Sequence, residues 1–190
     1  DYWAEVAYVR GQDGVQKIRG LGFDIGTTYQ LPLPKKLSAT LGYAFGRGDR
    51  DPTDNVDESF RQTGLQDNKS KFNGVTRFKY YGELFDPELN NLVIVTAGVG
   101  LRPSRRSSID LVFHNYRQDI AFRRIRDSAL DEKPKGRNRE LGNEFDLIAG
   151  YREISHLDME LRLGYFIPGK AFSSDTGNSF FANVRFRYNL

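Results

Sequence analysis

Several residue types are missing or scarce in this chain of 190 residues, and each absence removes a class of protein. There is no cysteine, which excludes a disulfide scaffold, a thiolate metal site and a cysteine nucleophile. No uncharged apolar run approaches the ~18 residues that a transmembrane helix needs, and the mean hydropathy is −0.58. The 28 basic residues exceed the 25 acidic ones by only three, so the chain is not a polycationic nucleic-acid binder.

Apolar residues instead recur at every second position, and glycine, proline, asparagine and aspartate gather between the alternating runs. This pattern predicts an all-β, antiparallel fold with about eight strands and no separate second domain. A GQDG stretch at 11–14 is interpreted as a short link, and Leu141 is expected on the same apolar face as Phe145 and Tyr151. The predicted strands cover residues 2–8, 21–29, 37–45, 93–101, 109–114, 141–151, 157–165 and 182–190.

The connections between these runs differ in length at the two ends of the strands. LPLPKK, PSRRS and ISH are short, whereas the stretches 48–90, 119–139 and 168–178 are long. Short turns at one rim and long loops at the other are typical of a transmembrane β-barrel in a bacterial outer membrane, with the short turns periplasmic. The stretch 48–90 is therefore predicted not to cross the membrane, because one additional strand would invert every later strand.

Strand parity also makes a prediction about aromatic residues at the rim of the short turns. It places four tyrosines there with their side chains outward, where an aromatic ring lies at the acyl boundary and its hydroxyl stays wet. These residues are Tyr2, Tyr29, Tyr151 and Tyr188. A soluble eight-stranded barrel or sandwich remains the alternative, because a period of two does not distinguish lipid from a protein core.

Three polar features are candidate sites outside this pattern. His114 follows Asp110 by four residues on one face, but no serine nucleophile accompanies it, so we interpret it as a polar lumen residue and the chain as not an enzyme. The loop with Asp49, Asp51 and Asp54 is a weak Ca²⁺ candidate without the glycine of an EF-hand, and a solvated acidic loop is preferred. The basic stretch 119–139 could attract a polyanion or lipopolysaccharide, or simply be solvated.

Several segments, taken in order, resemble the alginate export family of outer-membrane porins. They are DYWAEVAYVRG, GFDIG, LGYAFGRG, FRQTGLQDN, LVFHNYRQ, NEFDLI and GYFIPGKAF. The resemblance implies the C-terminal part of a larger barrel of about 18 strands, with further strands and a leader upstream of Asp1. It also implies an outer-membrane porin that conducts an anionic polysaccharide such as alginate, that contacts lipid and lipopolysaccharide, and that works with periplasmic export partners. No cofactor or metal is implied.

The resemblance further implies a lumen lined by arginine and lysine. The family carries two inward arginines, spaced two apart, on the strand before its F-x-P-G segment; here the second is Arg162, and Glu160 occupies the first position. The other lumen candidates are Arg152, Arg185, Arg187, Glu144 and Asp146. Alternatively, the arginines pair with Glu144, Asp146, Asp158 and Glu160 in a network that only neutralises charge, and the chain is a self-contained small β-barrel that serves as a binding or structural module.

Overall fold

A computed structural model describes residues 1–62 and 68–189. Residues 63–67, the middle of the FRQTGLQDN segment, and Leu190 lie outside the described residues. The described part contains eleven strands, one 3₁₀ turn at Pro34–Lys36 and no α-helix. The strands are β1 (Tyr2–Asp13), β2 (Gln16–Gln30), β3 (Ser38–Gly46), β4 (Val56–Asp57), β5 (Lys69–Ser70), β6 (Phe78–Lys79), β7 (Leu92–Ser104), β8 (Ser107–Gln118), β9 (Glu140–Tyr151), β10 (Leu157–Pro168) and β11 (Ser179–Tyr188). None of these residues belongs to a helix with the length and apolar character that a membrane crossing requires.

Eight long strands form one antiparallel sheet in the order β1-β2-β3-β7-β8-β9-β10-β11, with β4 paired beside β2. The predicted all-β antiparallel fold is confirmed. Within the described residues no ladder joins β1 to β11, so the sheet is open at these two strands.

The prediction that residues 11–14 form a link between two strands is wrong. β1 and β2 pair as far as Asp13 and Gln16, and the turn lies at Gly14, whose φ is +58°. Apart from Val15 and Ile18, the residues of this hairpin tip are glycine or polar, so no regular alternation marks it as strand.

The ends of the strands confirm the predicted tyrosine rim. Neighbouring strands alternate in direction, which brings the starts of β1 and β10 and the ends of β2, β9 and β11 to the end with the short connections. Tyr2, Tyr29, Tyr151 and Tyr188 lie there, with exposed fractions of 89%, 65%, 43% and 66%. The remaining large exposed apolar side chains of the sheet lie on the same outer face, which the alternation predicts.

The stretch 48–90 does not cross from one end of the sheet to the other, as predicted. β3 and β7 are direct antiparallel neighbours, with Gly46 opposite Leu92. The described part of the stretch contains only three two-residue strands, β4, β5 and β6. Residues 68–91, which we call the inner segment, fold back against one face of the sheet, the inner face.

Apolar side chains of the inner segment complete the core. Phe85 is fully buried and packs on Tyr116 and Phe166, with ring centroids 4.5 and 5.4 Å apart. Leu141 is also fully buried in this cluster, so its predicted outward orientation is wrong. A β-bulge shifts the β8–β9 register after Tyr116, and Gly142 has a φ of +134°, which turns the preceding residue to the inner face.

Candidate functional site

Buried carboxylates of β9 bind the inner segment to the inner face through hydrogen bonds. Glu144 is fully buried, and its two carboxylate oxygens accept hydrogen bonds from the backbone N–H groups of Leu84 (2.7 Å) and Phe85 (2.9 Å). Tyr116 donates its hydroxyl to the Tyr81 carbonyl at 2.7 Å and lies 3.1 Å from Glu144. The sheet thus holds the backbone of the segment as well as its apolar side chains.

Asp146, the next inward residue of β9, continues this contact. Its Oδ2 accepts a hydrogen bond from the backbone N–H of Glu83 at 3.2 Å and lies 3.5 Å from His114 Nε2. The other ring nitrogen of His114 is 2.9 Å from the Thr96 hydroxyl. His114 is fully buried under the inner segment rather than open to a lumen, and these contacts run to residues other than Asp110.

A second cluster joins three arginines to one carboxylate. Glu160 Oε1 lies 3.2 Å from Arg152 Nη2, and its Oε2 lies 3.1 Å from Arg162 Nη2 and 3.9 Å from Arg185 Nη1. Strand register explains the convergence, because Glu160 on β10 is directly opposite Arg185 on β11. Arg152 also pairs with Asp158 at 3.7 Å.

The inner segment contributes a further carboxylate to this cluster. Glu83 Oε1 lies 3.7 Å from Arg162 Nη1 and accepts a hydrogen bond from the backbone N–H of Lys79 at 2.9 Å. The side chains of Glu83 and Arg162 are 1% and 13% exposed. Sequence analysis missed Glu83, because it lies in a stretch without strand alternation and contacts β10 only after the stretch folds back.

The candidate residues therefore separate into two groups. Arg152, Arg162, Arg185 and Glu160 come together, and Arg187 lies opposite Asp158 in the β10–β11 register. The pairing network expected from Asp158 and Glu160 is present. Glu144 and Asp146 do not belong to it, because their carboxylates bind backbone N–H groups of the inner segment instead.

The tyrosine pair just before Glu83 in the inner segment, Tyr80 and Tyr81, contacts β1 and β2 through an aromatic cluster that sequence analysis also missed. Asp24 accepts hydrogen bonds from Trp3 Nε1 at 2.7 Å and from the hydroxyls of Tyr81 and Tyr80 at 2.8 and 3.3 Å. Burial and the Asp24 carboxylate raise the pKa of both phenols, which favours their protonated, hydrogen-bond-donating form. A groove of about 460 Å³ beside them is also lined by Lys69 and Lys71.

In the acidic loop that is the weak Ca²⁺ candidate, the carboxylates accept hydrogen bonds from the backbone of the loop itself. Asp49, Asp51 and Asp54 each accept a hydrogen bond from an N–H two residues further along, at 3.3, 3.1 and 2.8 Å. Among residues 1–62 and 68–189, no group of three or more histidine or acidic side chains is arranged to hold a metal ion. The structure does not bring these three carboxylates together as a metal site.

The family model and the individual relatives that match this chain agree with one another. A family model described as alginate export matches residues 1–183. The alginate production protein AlgE of Azotobacter vinelandii is 31% identical over 156 residues, which cover 70% of this chain and 32% of that protein. The protein of the same name from Pseudomonas aeruginosa is 25% identical over 177 residues, covering 85% and 35% respectively. The chain spans about a third of the length of the curated relatives it matches.

Proposed function

The chain belongs to the alginate export family, and on that premise we propose that it forms part of the wall of an outer-membrane porin that conducts an anionic polysaccharide such as alginate. In this proposal the chain acts as a transporter and not as an enzyme. Contacts with lipopolysaccharide and with periplasmic export partners remain predictions of the same proposal.

The outer face of the sheet supports a location in a membrane. Large apolar side chains on that face are widely exposed, among them Leu41 at 62%, Val99 at 55% and Val184 at 59%. Soluble monomers rarely expose contiguous apolar surface on this scale. An apolar band next to an aromatic rim is the arrangement that lipid requires of a barrel wall.

The convergence of arginines at Glu160 on the inner face is the observation that carries the transport proposal. A flexible polyanion that enters a narrow channel needs compensating positive charge, and arginines that line a pore favour anions for this reason. The Arg185 side chain is 49% exposed and the Arg152 side chain 31%. Guanidiniums at these positions are accessible to a polymer that passes along the inner face.

A structural role for the same arginines is favoured by a different observation. Glu160 alone faces three guanidiniums within 4 Å, so the positive charge is partly neutralised within the wall. Removing one partner of such a network leaves the other partners uncompensated. The two functions therefore predict different results when the arginines are replaced.

The test replaces Arg162, Arg185 and Arg187 together with glutamine in the full-length protein. Passage of an anionic uronate polymer and the anion-to-cation permeability ratio in planar bilayers should both fall, while passage of a neutral oligosaccharide should change little, because only the electrostatic attraction is removed. A matched control removes three positive charges from the exposed β1–β2 hairpin, with Arg10, Lys17 and Arg19 changed to glutamine.

Two results would count against the proposal. If the triple variant inserts normally and still passes the anion as the wild type does, the arginines do not form a conduit. If it fails to fold or insert while the hairpin control succeeds, the charge network is primarily structural, since the replacement leaves Glu160 with Arg152 as the one partner that remains of these three arginines.

A further inference from the structure

We propose that Glu83 of the inner segment is an internal counter-anion of the pore. Its carboxylate pairs with the Arg162 guanidinium while the pore is empty, and a uronate carboxylate of the passing polymer displaces it. This inference rests on the proposed function. It adds to that function the residue that determines how tightly the arginine cluster binds its polymer.

Glu83 differs from the other carboxylates of the cluster in where it is held. Asp158 and Glu160 belong to β10, so strand register fixes their contacts with the arginines. Glu83 belongs to the inner segment, which is not a strand of the sheet, and contacts Arg162 from the inner face. The Glu83–Arg162 distance is 3.7 Å, compared with 3.1 Å for Glu160–Arg162. Glu83 therefore makes the longer of these two contacts, and no strand pairing fixes it.

The charges around the cluster nearly cancel only because Glu83 is present. Four guanidiniums, those of Arg152, Arg162, Arg185 and Arg187, face the carboxylates of Asp158, Glu160 and Glu83. The excess is one positive charge with Glu83 in place and two without it. A polymer carboxylate that replaces Glu83 at Arg162 restores the same balance, since it offers a guanidinium the same planar pair of oxygens.

The attachment of the segment allows this exchange to be a side-chain movement. Asp146 and Glu144 hold the backbone N–H groups of Glu83, Leu84 and Phe85, so the segment stays in place when the Glu83 side chain turns away from Arg162. The Arg162 side chain is also the more exposed partner, at 13% compared with 1% for Glu83. A ligand on the inner face therefore approaches the guanidinium and not the carboxylate.

The test measures how short alginate oligomers block the ionic conductance of the full-length protein in planar bilayers. Glu83→Gln keeps an oxygen that can accept the Lys79 N–H and removes only the charge. We expect the half-blocking concentration to fall about fivefold, since a unit charge about 4 Å away retains an effect of this size even at the dielectric constant of water. The effect should shrink at high salt, because screening shortens the range of such interactions.

Asp86→Asn is the matched control, because it removes a carboxylate from the same segment that pairs with Lys79 at 2.8 Å and not with Arg162. Its half-blocking concentration should change far less. Glu83→Asp keeps the charge but withdraws it from Arg162 by one methylene, so an intermediate shift is expected. This second variant provides the test if glutamine at position 83 prevents insertion.

A double variant separates failure of this inference from failure of the proposed function. If Glu83 acts through Arg162, Glu83→Gln should have no effect once Arg162 is glutamine. An equal effect of Glu83→Gln in both backgrounds would overturn the inference. The inference would also fail if Glu83→Gln were blocked at the wild-type concentration while Arg162→Gln needed a higher one. In that case the proposed transport function would still stand. If Arg162→Gln itself leaves the block unchanged, the proposed conduit fails at this cluster.

Discussion

Replacing Glu144 with glutamine should loosen the inner segment while leaving the sheet intact. Both oxygens of the buried carboxylate are engaged, one with the Leu84 N–H at 2.7 Å and the other with the Phe85 N–H at 2.9 Å. Glutamine has nearly the same shape but only one oxygen. Its NH₂ group therefore faces one backbone N–H, and two donors meet where a donor and an acceptor met before.

The expected size of this effect follows from the lost contact. A buried N–H left without an acceptor costs about 1–3 kcal/mol, and each 1.4 kcal/mol changes an equilibrium constant by about tenfold. Local opening of the inner segment should thus become roughly five- to 150-fold more populated. Glu144 belongs to β9, but the substitution changes none of the backbone hydrogen bonds that join β8, β9 and β10, so the opening of these strands should not increase.

Hydrogen–deuterium exchange of the full-length protein in detergent measures both regions at once. Peptides that cover 75–91 should exchange faster in Glu144→Gln, while peptides from β8 and β10 serve as internal references. Glu140→Gln is the control on the same strand: its side chain is 42% exposed and pairs with Lys170 at 3.2 Å, a surface pair worth at most about 1 kcal/mol. Unchanged exchange at 75–91 in Glu144→Gln would refute the proposed anchoring.

Two further predictions concern how the inner segment packs. Tyr81→Phe removes the buried hydroxyl that donates to Asp24 at 2.8 Å and should lower the free energy of unfolding by about 1–3 kcal/mol. Tyr2 is 89% exposed, so Tyr2→Phe should have no measurable effect. A Cβ at Gly46 would lie 2.2 Å from a backbone carbonyl oxygen of the inner segment, whereas one at Gly11 has no neighbour within 4 Å. Gly46→Ala should therefore lower the melting temperature, and equal melting of Gly46→Ala and Gly11→Ala would show that the segment does not pack there.

Sequence alone determined the features of this protein that depend on local alternation. Successive side chains of a strand point to opposite faces, so the positions of Val95, Val99 and Leu111 predicted the outer face directly. The lengths of the connections then ordered the strand directions and brought four distant tyrosines to one rim. Resemblance and parity predicted the candidate arginines for the inner face, and the strand register places Arg185 opposite Glu160 across β10 and β11.

Only the tertiary structure decided what fills the inner face. Phe78, Tyr81, Leu84 and Phe85 are buried, but their spacing of three and four residues is that of a helix face, and the described part of the segment contains no helix. Periodicity in the sequence therefore did not identify this core. The bulge at Gly142 shifts Leu141 through a backbone conformation that alternation does not record. The partners of Glu144 and Glu83 come from residues about 60 to 80 positions away along the chain, and such contacts exist only once the segment has folded back. Local periodicity thus determines which face a strand residue takes, while non-local packing determines what that face meets.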